Sequence, residues 1–514
     1  MDQNPIQFAL NKAKQYSFED LSLMIGCIYH WNGYGAQRPL YHLLLSELAD
    51  LCPLSGEMTP TLEDALNLIN TFSDEYNKYR SEKLSSHIFS DQEGDDVEEL
   101  TISRIASESI INPDSEARLM EYILDKFQPI DQLLFEKLGF RTRDLLRTIR
   151  YIEILMQADF LDYNEIELPI FKMRRGSPDH YKQEWEIPPY DFYIQWKRSN
   201  SFDLENEYSF LRPETKSVFR FLSSSQAAFS TKEYAFRRWA FLKKEIDTAV
   251  LLDPTHLANT LLTAVHIGLL NSVTQIEKGR YLESIGKQFE EMIANSFRQA
   301  YPFTTINPNK KYPGQVGDTD IEVTLEEDFC ILAQCKSNQL IQKNAKKDDR
   351  TFAEFYNKSV LRAAQQAKES LEFHPNAKSV KSVFIIIDSY LPGIFVLQGR
   401  SGDTYRALKE LPSPIVMNYF DFKYLLYRIP FRNLARYLEW RDKVISLGIL
   451  ILYDEYDLIR FYLKTVEEGL EEQMLDLFKF GAEKGLPPKI IFIGYDEEWE
   501  TEGFASLDLK LGLF

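Results

Sequence analysis

Residues 317–337 read Gly-Asp-Thr-Asp-Ile-Glu-Val-Thr-Leu-Glu-Glu-Asp-Phe-Cys-Ile-Leu-Ala-Gln-Cys-Lys-Ser. Asp318, Asp320 and Glu322 alternate with Thr319, Ile321 and Val323, the two-residue period of a β-strand. A second arm alternates as well, with Phe329, Ile331, Ala333 and Cys335 on one face and Leu332, Gln334 and Lys336 on the other. Folding the chain back about Glu327 sets Val323 opposite Ile331, Ile321 opposite Ala333, Asp320 opposite Gln334 and Asp318 opposite Lys336. The spacing therefore predicts a hairpin with one apolar face and one face carrying Asp318, Asp320, Gln334 and Lys336. Directly opposed residues have Cβ atoms about 4.5–5.5 Å apart, close enough for two of these side chains to share a divalent cation.

Outward from the hairpin the periodicity changes. A helix over 280–299 places Leu282, Ile285, Phe289, Met292, Ile293 and Phe297 on one stripe. A loop carrying Pro302, Pro308 and Pro313 leads into the hairpin. A helix at about 351–372 follows, then an apolar strand at 383–388, a second run at 394–398, and a strand passing into a helix at 414–427. This order predicts an α/β core over 278–430, a mixed sheet flanked by helices. Residues 1–162 read as a mainly α-helical region, with helices at 17–30, 37–51, 61–80, 115–126, 130–138 and 141–161 and a polar, acidic loop at 84–98. Residues 163–277 read as mixed. Within them, 163–215 lack helical period, 237–245 read as a basic helix surface, and 257–273 as a buried helix. Residues 431–514 form a helical C-terminal extension ending in a strand at 489–494, whose sheet is left open.

At 514 residues the chain allows about two to four domains, and its 44% hydrophobic and 13% aromatic content argues against disorder. No segment has the length and apolarity of a membrane span. The N-terminus lacks a basic start followed by an apolar run. The expectation is a cytoplasmic protein with no membrane contact. Cys27, Cys52, Cys330 and Cys335 have no paired spacing, which predicts neither a disulfide framework nor a zinc site. Cys330 and Cys335 read as core, and His256, His266 and His374 as structural.

The net charge of −19 argues against a generic nucleic-acid coat, yet the charge is unevenly spread. Lys336, Lys343, Lys346, Lys347, Arg350, Lys358, Arg362 and Lys368 face only Asp348, Asp349 and Glu354 between 336 and 368, a local charge of +5. Such a strip is either a solvated helix face or a seat for a phosphate backbone with strong salt dependence. Lys172, Arg174, Arg175, Lys182 and Lys197 form a weaker second cluster.

A helix with an inward glutamate, a Gly-Asp-x-Asp arm, an apolar arm ending Gln-Cys-Lys, then a helix and further strands resembles the restriction-endonuclease-like nucleases, the PD-(D/E)xK superfamily. The Mrr-like branch, in which the middle carboxylate is often glutamine, is the nearest match. The resemblance covers about 279–425. It implies a helix–strand–strand–strand–helix–strand core that cuts phosphodiesters with Mg²⁺, Mn²⁺ substituting. Asp320 matches the metal-binding aspartate, Gln334 the (D/E) position and Lys336 the motif lysine. Gly286-Lys-Gln-Phe-Glu290 matches the helix signature and makes Glu290 the helix carboxylate, with Glu283 and Glu291 as alternatives. Mg²⁺ prefers oxygen ligands in octahedral geometry. Asp320, the Gln334 side-chain oxygen and the Cys335 carbonyl would be its protein ligands, with Glu290 completing the shell or holding a metal-bound water. Lys336 would orient or help deprotonate the attacking water. Glutamine at the second position removes a charge and favours one metal over two. Asp318 is either a ligand or an ion-pair partner of Lys336.

The expectation is a Mg²⁺-dependent DNA endonuclease in prokaryotic restriction or anti-phage defence, controlled through its N-terminal helical region by a partner protein or activator. RNA remains an alternative substrate. Two sites are needed to cut both strands together, so a homodimer or higher oligomer is expected. Lys343, Lys346, Lys347, Arg350, Lys358 and Arg362 are candidate DNA contacts, whereas Gln365 and Gln366 read as a plain helix face. The rival readings are a repair or recombination nuclease on branched or single-stranded DNA, a nuclease-like protein that binds nucleic acid without cutting it, and a helical interaction protein with a degenerate C-terminal domain.

Overall fold

The computed structural model describes residues 5–32, 38–53, 56–88, 116–159, 185–206, 211–229, 239–244, 248–252, 257–315, 318–326, 328–337, 357–388, 403–447, 450–451, 455–484, 489–490 and 496–512. The protein is a mixed helix-and-sheet structure. Its largest sheet has five strands in chain order: β1 (Thr305–Lys310), β2 (Thr319–Glu326), β3 (Phe329–Lys336), β4 (Val380–Ile387) and β5 (Pro414–Asn418). The β1–β2 and β2–β3 pairs are antiparallel; β3–β4 and β4–β5 are parallel. The sense of pairing therefore changes at β3.

The hairpin folds back where its alternation indicates. Ile321 pairs with Ala333 and Val323 with Ile331, and the ladder tightens through an irregularity between Thr324 and Glu326. One expectation about it is wrong: the second face is not a polar face alone. Ile321, Val323, Ile331, Ala333 and Cys335 bury against one set of helices, while Cys330 and Leu332 bury against another. Both faces are covered, as in sheets with helices on either side. The first face packs on Phe289, Ile293 and Phe297 of the helix Gln275–Ala300. The second packs on Ala363, Ala364 and Ala367 of the helix Arg362–Phe373, whose small side chains let it lie close to the strands.

Two expectations near the sheet need correction. Residues 305–310 are not loop but edge strand β1. Proline is tolerated on a sheet edge because it has no ladder hydrogen bond to give there. Asn309 takes a left-handed φ of 51°, and the register skips from Pro308↔Ile321 to Lys310↔Thr319. Leu282 is 45% exposed, and Tyr281 lies inside in its place, its hydroxyl 2.7 Å from Nδ1 of His266. The helix expected from 351 starts, among the described residues, with a π-helical turn at Asn357–Leu361. The run 394–398 lies outside the described residues.

Elsewhere the N-terminal periodicities fold as helices at Phe18–Trp31, Arg38–Leu51, Leu62–Ile88, α1 (Glu116–Phe127), Asp131–Leu138 and Thr142–Asp159. The acidic loop expected from 84 is helical to Ile88, and 89–98 lie outside the described residues. Within 163–215, Tyr190–Ser199 is a helix, because Phe192, Tyr193 and Trp196 share a buried face. The expected basic helix at 237–245 contains instead the short strand Phe241–Lys243, paired with Thr248–Leu251 in a separate four-stranded sheet. The buried helix forms as α2 (Leu257–Ser272), followed by α3 (Gln275–Ala300), α4 (Arg362–Phe373) and α5 (Tyr419–Arg428). Of the late strand, the described residues Lys489–Ile490 pair in parallel with Leu450–Ile451, outside the five-stranded sheet. Among the described residues, no helix is long and apolar enough to cross a membrane.

Helix α1 belongs to the N-terminal helical region by sequence but beds directly against the sheet's helices. Tyr122 meets Tyr419 of α5 at 4.7 Å between ring centroids and Phe289 of α3 at 6.5 Å. The Gln288 amide of α3 donates to the Asp125 carbonyl at 2.8 Å, closing one free carbonyl at the C-terminal end of α1.

Candidate metal centre at a strand fork

The β2–β3 ladder ends at Ile321↔Ala333. One residue further on, a side chain replaces the backbone as partner: Oδ2 of Asp320 accepts the Cys335 N–H at 2.6 Å. The strands thus separate at the position where Asp320 and Gln334 were expected to face each other. The N–H and C=O of one strand residue point to the same side, so the Cys335 carbonyl is directed toward Asp320 as well. Lys336 turns its ammonium to Asp320 at 3.6 Å. Asp318 was the alternative partner for that lysine, but the ion pair is with Asp320.

Gln334 sits at the base of this fork with 0% exposure, and among the described residues neither its side-chain oxygen nor its nitrogen has a hydrogen-bond partner. Buried amides are almost always paired, because leaving one unpaired forfeits its hydration without return.

Glu290 arrives from α3, whose start is fixed by a capping box between Thr274 and Glu277. Its carboxyl is pushed up to about 7, first by burial and then by the charge of Asp320, with Asp318 adding and Lys336 opposing. These influences place Glu290 within electrostatic reach of the fork. Asp320 is also raised, chiefly by burial, with Lys336 and the Cys335 N–H pulling back. Burial, and then the charges of Asp320 and Glu290, push the Cys335 thiol well above its ordinary value. Its sulfur is therefore a neutral core group, as expected. The structure brings Asp320, Gln334, Cys335, Lys336 and Glu290 together; Glu283 instead pairs with Lys287 at the helix surface, 2.7 Å away.

Of the basic strip, Lys343, Lys346, Lys347 and Arg350 lie outside the described residues. Lys358 and Arg362 are exposed at the start of α4, and Lys368 pairs with Glu410 at 2.5 Å.

Two polar clusters escaped the sequence reading. In the first, Glu322, Cys330 and His374 bring ligand-type atoms within 4.8 Å of one another. The Glu322 carboxylate there accepts from Asn307 at 2.9 Å and from the Tyr312 hydroxyl, and lies 3.3 Å from Nε2 of His374. Nδ1 of His374 accepts the Asn376 N–H at 3.1 Å, which puts the ring proton on Nε2, facing Glu322. The cluster is a closed hydrogen-bond set that ties β1, β2 and the end of α4 together. Its residues lie far apart in sequence, so no motif spacing announces them. In the second, Lys126 of α1 forms a buried ion pair with Asp388, just past β4.

No protein-family model, no curated protein and no solved structure matches the chain.

Proposed function

We propose that the chain is a Mg²⁺-dependent nuclease whose reaction centre is the fork between β2 and β3. The observation that carries this reading is the Gln334 amide, fully buried and without a partner among the described residues, one strand position past the last β2–β3 pair and two residues before Lys336, whose ammonium pairs with Asp320. The amide oxygen of Gln334, with Asp320, the Cys335 carbonyl and Glu290, would make an all-oxygen donor set, the type that suits Mg²⁺ or Mn²⁺. The element order α3–β1–β2–β3–α4–β4 supports a restriction-endonuclease-like core, since it is the helix–strand–strand–strand–helix–strand order the resemblance implies.

When bound, the cation would lower the pKa of a water and neutralise charge on the scissile phosphate. The remaining work falls to the side chains. Asp320, Gln334 and the Cys335 carbonyl would hold the cation, and the Asp320–Cys335 N–H bond fixes the carboxylate's orientation. The Lys336 ammonium, kept near by Asp320, stabilises negative charge developing on the phosphate. Glu290 sits at about 7 in the metal-free site; a bound cation would draw that value down and favour the carboxylate, which would complete the shell or hold a metal-bound water.

The resemblance assigns DNA as the substrate and restriction or anti-phage defence as the role, with control through the N-terminal helices. Incubating the full chain with supercoiled plasmid and Mg²⁺ tests the chemistry. Cleavage that is lost in Asp320→Ala and in Lys336→Ala supports this centre; cleavage surviving in both rejects it. Comparing duplex, flap, junction and RNA substrates separates an endonuclease of duplex DNA from a repair nuclease.

A further inference from the structure

Asp388 is the first residue beyond β4. Its N–H donates to the Lys336 carbonyl at 2.9 Å, extending the β3–β4 ladder past Lys336↔Ile387. Its Oδ2 accepts the Ser337 hydroxyl at 2.9 Å. The same oxygen meets the Lys126 ammonium, which lies 5.4 Å from the Tyr122 ring centroid. Side-chain exposure is 1% for Lys126 and 0% for Asp388.

Burial drives the Lys126 pKa well below its usual value and that of Asp388 well above. Neither group can carry its charge there without the other. A pair this deep is a poor device for stability, because an apolar pair of similar volume does as well or better. Its location is distinctive. It joins a helix more than two hundred residues upstream to the last residue of β3, the proposed catalytic lysine, and to Ser337 just after it. The same helix also rests on Gln288 and Phe289, immediately before Glu290. Helix α1 therefore contacts both Asp388, which is bonded to the end of β3, and the helix that carries Glu290.

We infer that Lys126 and Asp388 are positioning residues of the proposed centre: they fix the end of β3 to α1 and so hold the Lys336 ammonium in place beside Asp320. The inference rests on the nuclease reading for its catalytic meaning. It gives the N-terminal helical region a physical handle on the centre, since a shift of α1 would move the strand end that carries Lys336.

The test uses the full chain and two kinds of variant. Lys126→Met/Asp388→Leu replaces the pair with apolar side chains. Ser337→Ala removes one bond and leaves the buried pair intact, and Ser337→Thr restores the hydroxyl. Two readouts accompany the melting temperature: kcat and KM for plasmid cleavage, and the pH profile of Lys336 acylation in competitive labelling read by mass spectrometry. The expected result is a folded double variant with kcat reduced about tenfold or more and KM little changed, the signature of a displaced catalytic group. Its Lys336 labelling profile shifts while that of exposed Lys287 does not. Ser337→Ala shows a smaller loss that Ser337→Thr recovers. Parent-like kcat and parent-like Lys336 labelling in Ser337→Ala and in the double variant would overturn the inference. If no form of the chain cuts, the labelling still decides: an unchanged Lys336 profile refutes the positioning role, whereas a shifted profile keeps it and the nuclease reading alone fails.

Discussion

Replacing Gln334 with methionine should make the metal-free protein more stable and the metal-loaded protein less so. Gln334 is 0% exposed and both ends of its amide are without partners. An unpaired buried polar group costs about 1–3 kcal/mol, and methionine has nearly the same length and volume without polar atoms, so repacking costs stay small. In EDTA the variant should gain about 1–3 kcal/mol, a rise in melting temperature of roughly 2–4 °C per kcal/mol for a cooperative unit of a few hundred residues. Mg²⁺ reverses the order. A cation at a hundred times its dissociation constant stabilises the parent by about 2.7 kcal/mol, and Gln334→Met forfeits much of that by losing a ligand. Melting curves of both proteins, recorded in EDTA and across a Mg²⁺ titration, should therefore cross. An ordinary core substitution shifts both series by the same amount and gives no crossing. A variant that is destabilised in EDTA and still shows the parent's full Mg²⁺ shift would remove Gln334 from the metal centre, and with it the main support for the functional reading.

Three further outcomes follow from the same geometry. Lys336→Ala should lower kcat for plasmid nicking by about 10²–10⁴-fold while keeping the Mg²⁺-induced rise in melting temperature; loss of that rise would mean that the lysine serves metal binding instead. Glu290 has its folded pKa raised from 4.5 to about 7 by burial and by Asp320, so the folded state favours its protonated form. Its contribution to metal-free stability is complete below pH 4.5 and is lost as pH climbs through about 7. Because the group is only half-buried, screening limits the loss to about 1 kcal/mol. Urea midpoints in EDTA should show that decline in the parent and not in Glu290→Gln, and parallel profiles would discredit the assignment. Finally, Lys358→Ala and Arg362→Ala should each reduce the slope of log affinity for duplex DNA against log salt by about 0.9, measured by fluorescence anisotropy; unchanged slopes would take this end of α4 off the DNA path.

What the sequence could reveal was set by distance along the chain. The hairpin register was legible because two alternating arms of equal length admit one fold-back, about Glu327, and a shift of one residue would turn every side chain to the other face. Strand β1 was hidden by its prolines and by the left-handed Asn309, which read as loop unless the strand is known to lie at an edge. The Tyr190–Ser199 helix was hidden by aromatic residues that favour strands locally and become a helix face only through burial. The Glu322–His374 set and the Lys126–Asp388 pair join residues 52 and 262 positions apart, where no period or motif can reach.

The candidate centre divides along the same line. Its residue types were legible, since Asp320, Gln334 and Lys336 lie on neighbouring arms and Glu290 lies on the helix before them. The property that makes them a candidate reaction centre was not. A glutamine in a strand is ordinary, and only the packed structure shows that none of the described residues satisfies it. The ladder stops at Ile321↔Ala333, Asp320 takes the Cys335 N–H in place of a backbone partner, and Gln334 is left sealed at the point of separation. A sheet that continued its pairing by two residues, to Thr319 and Cys335, would have closed that space with backbone hydrogen bonds. The early end of the ladder is therefore the structural feature on which the proposed cation site depends. Asp388 and Lys126 hold the other side of β3 at the same level, so that the fork opens toward β2 while the strand stays fixed to β4.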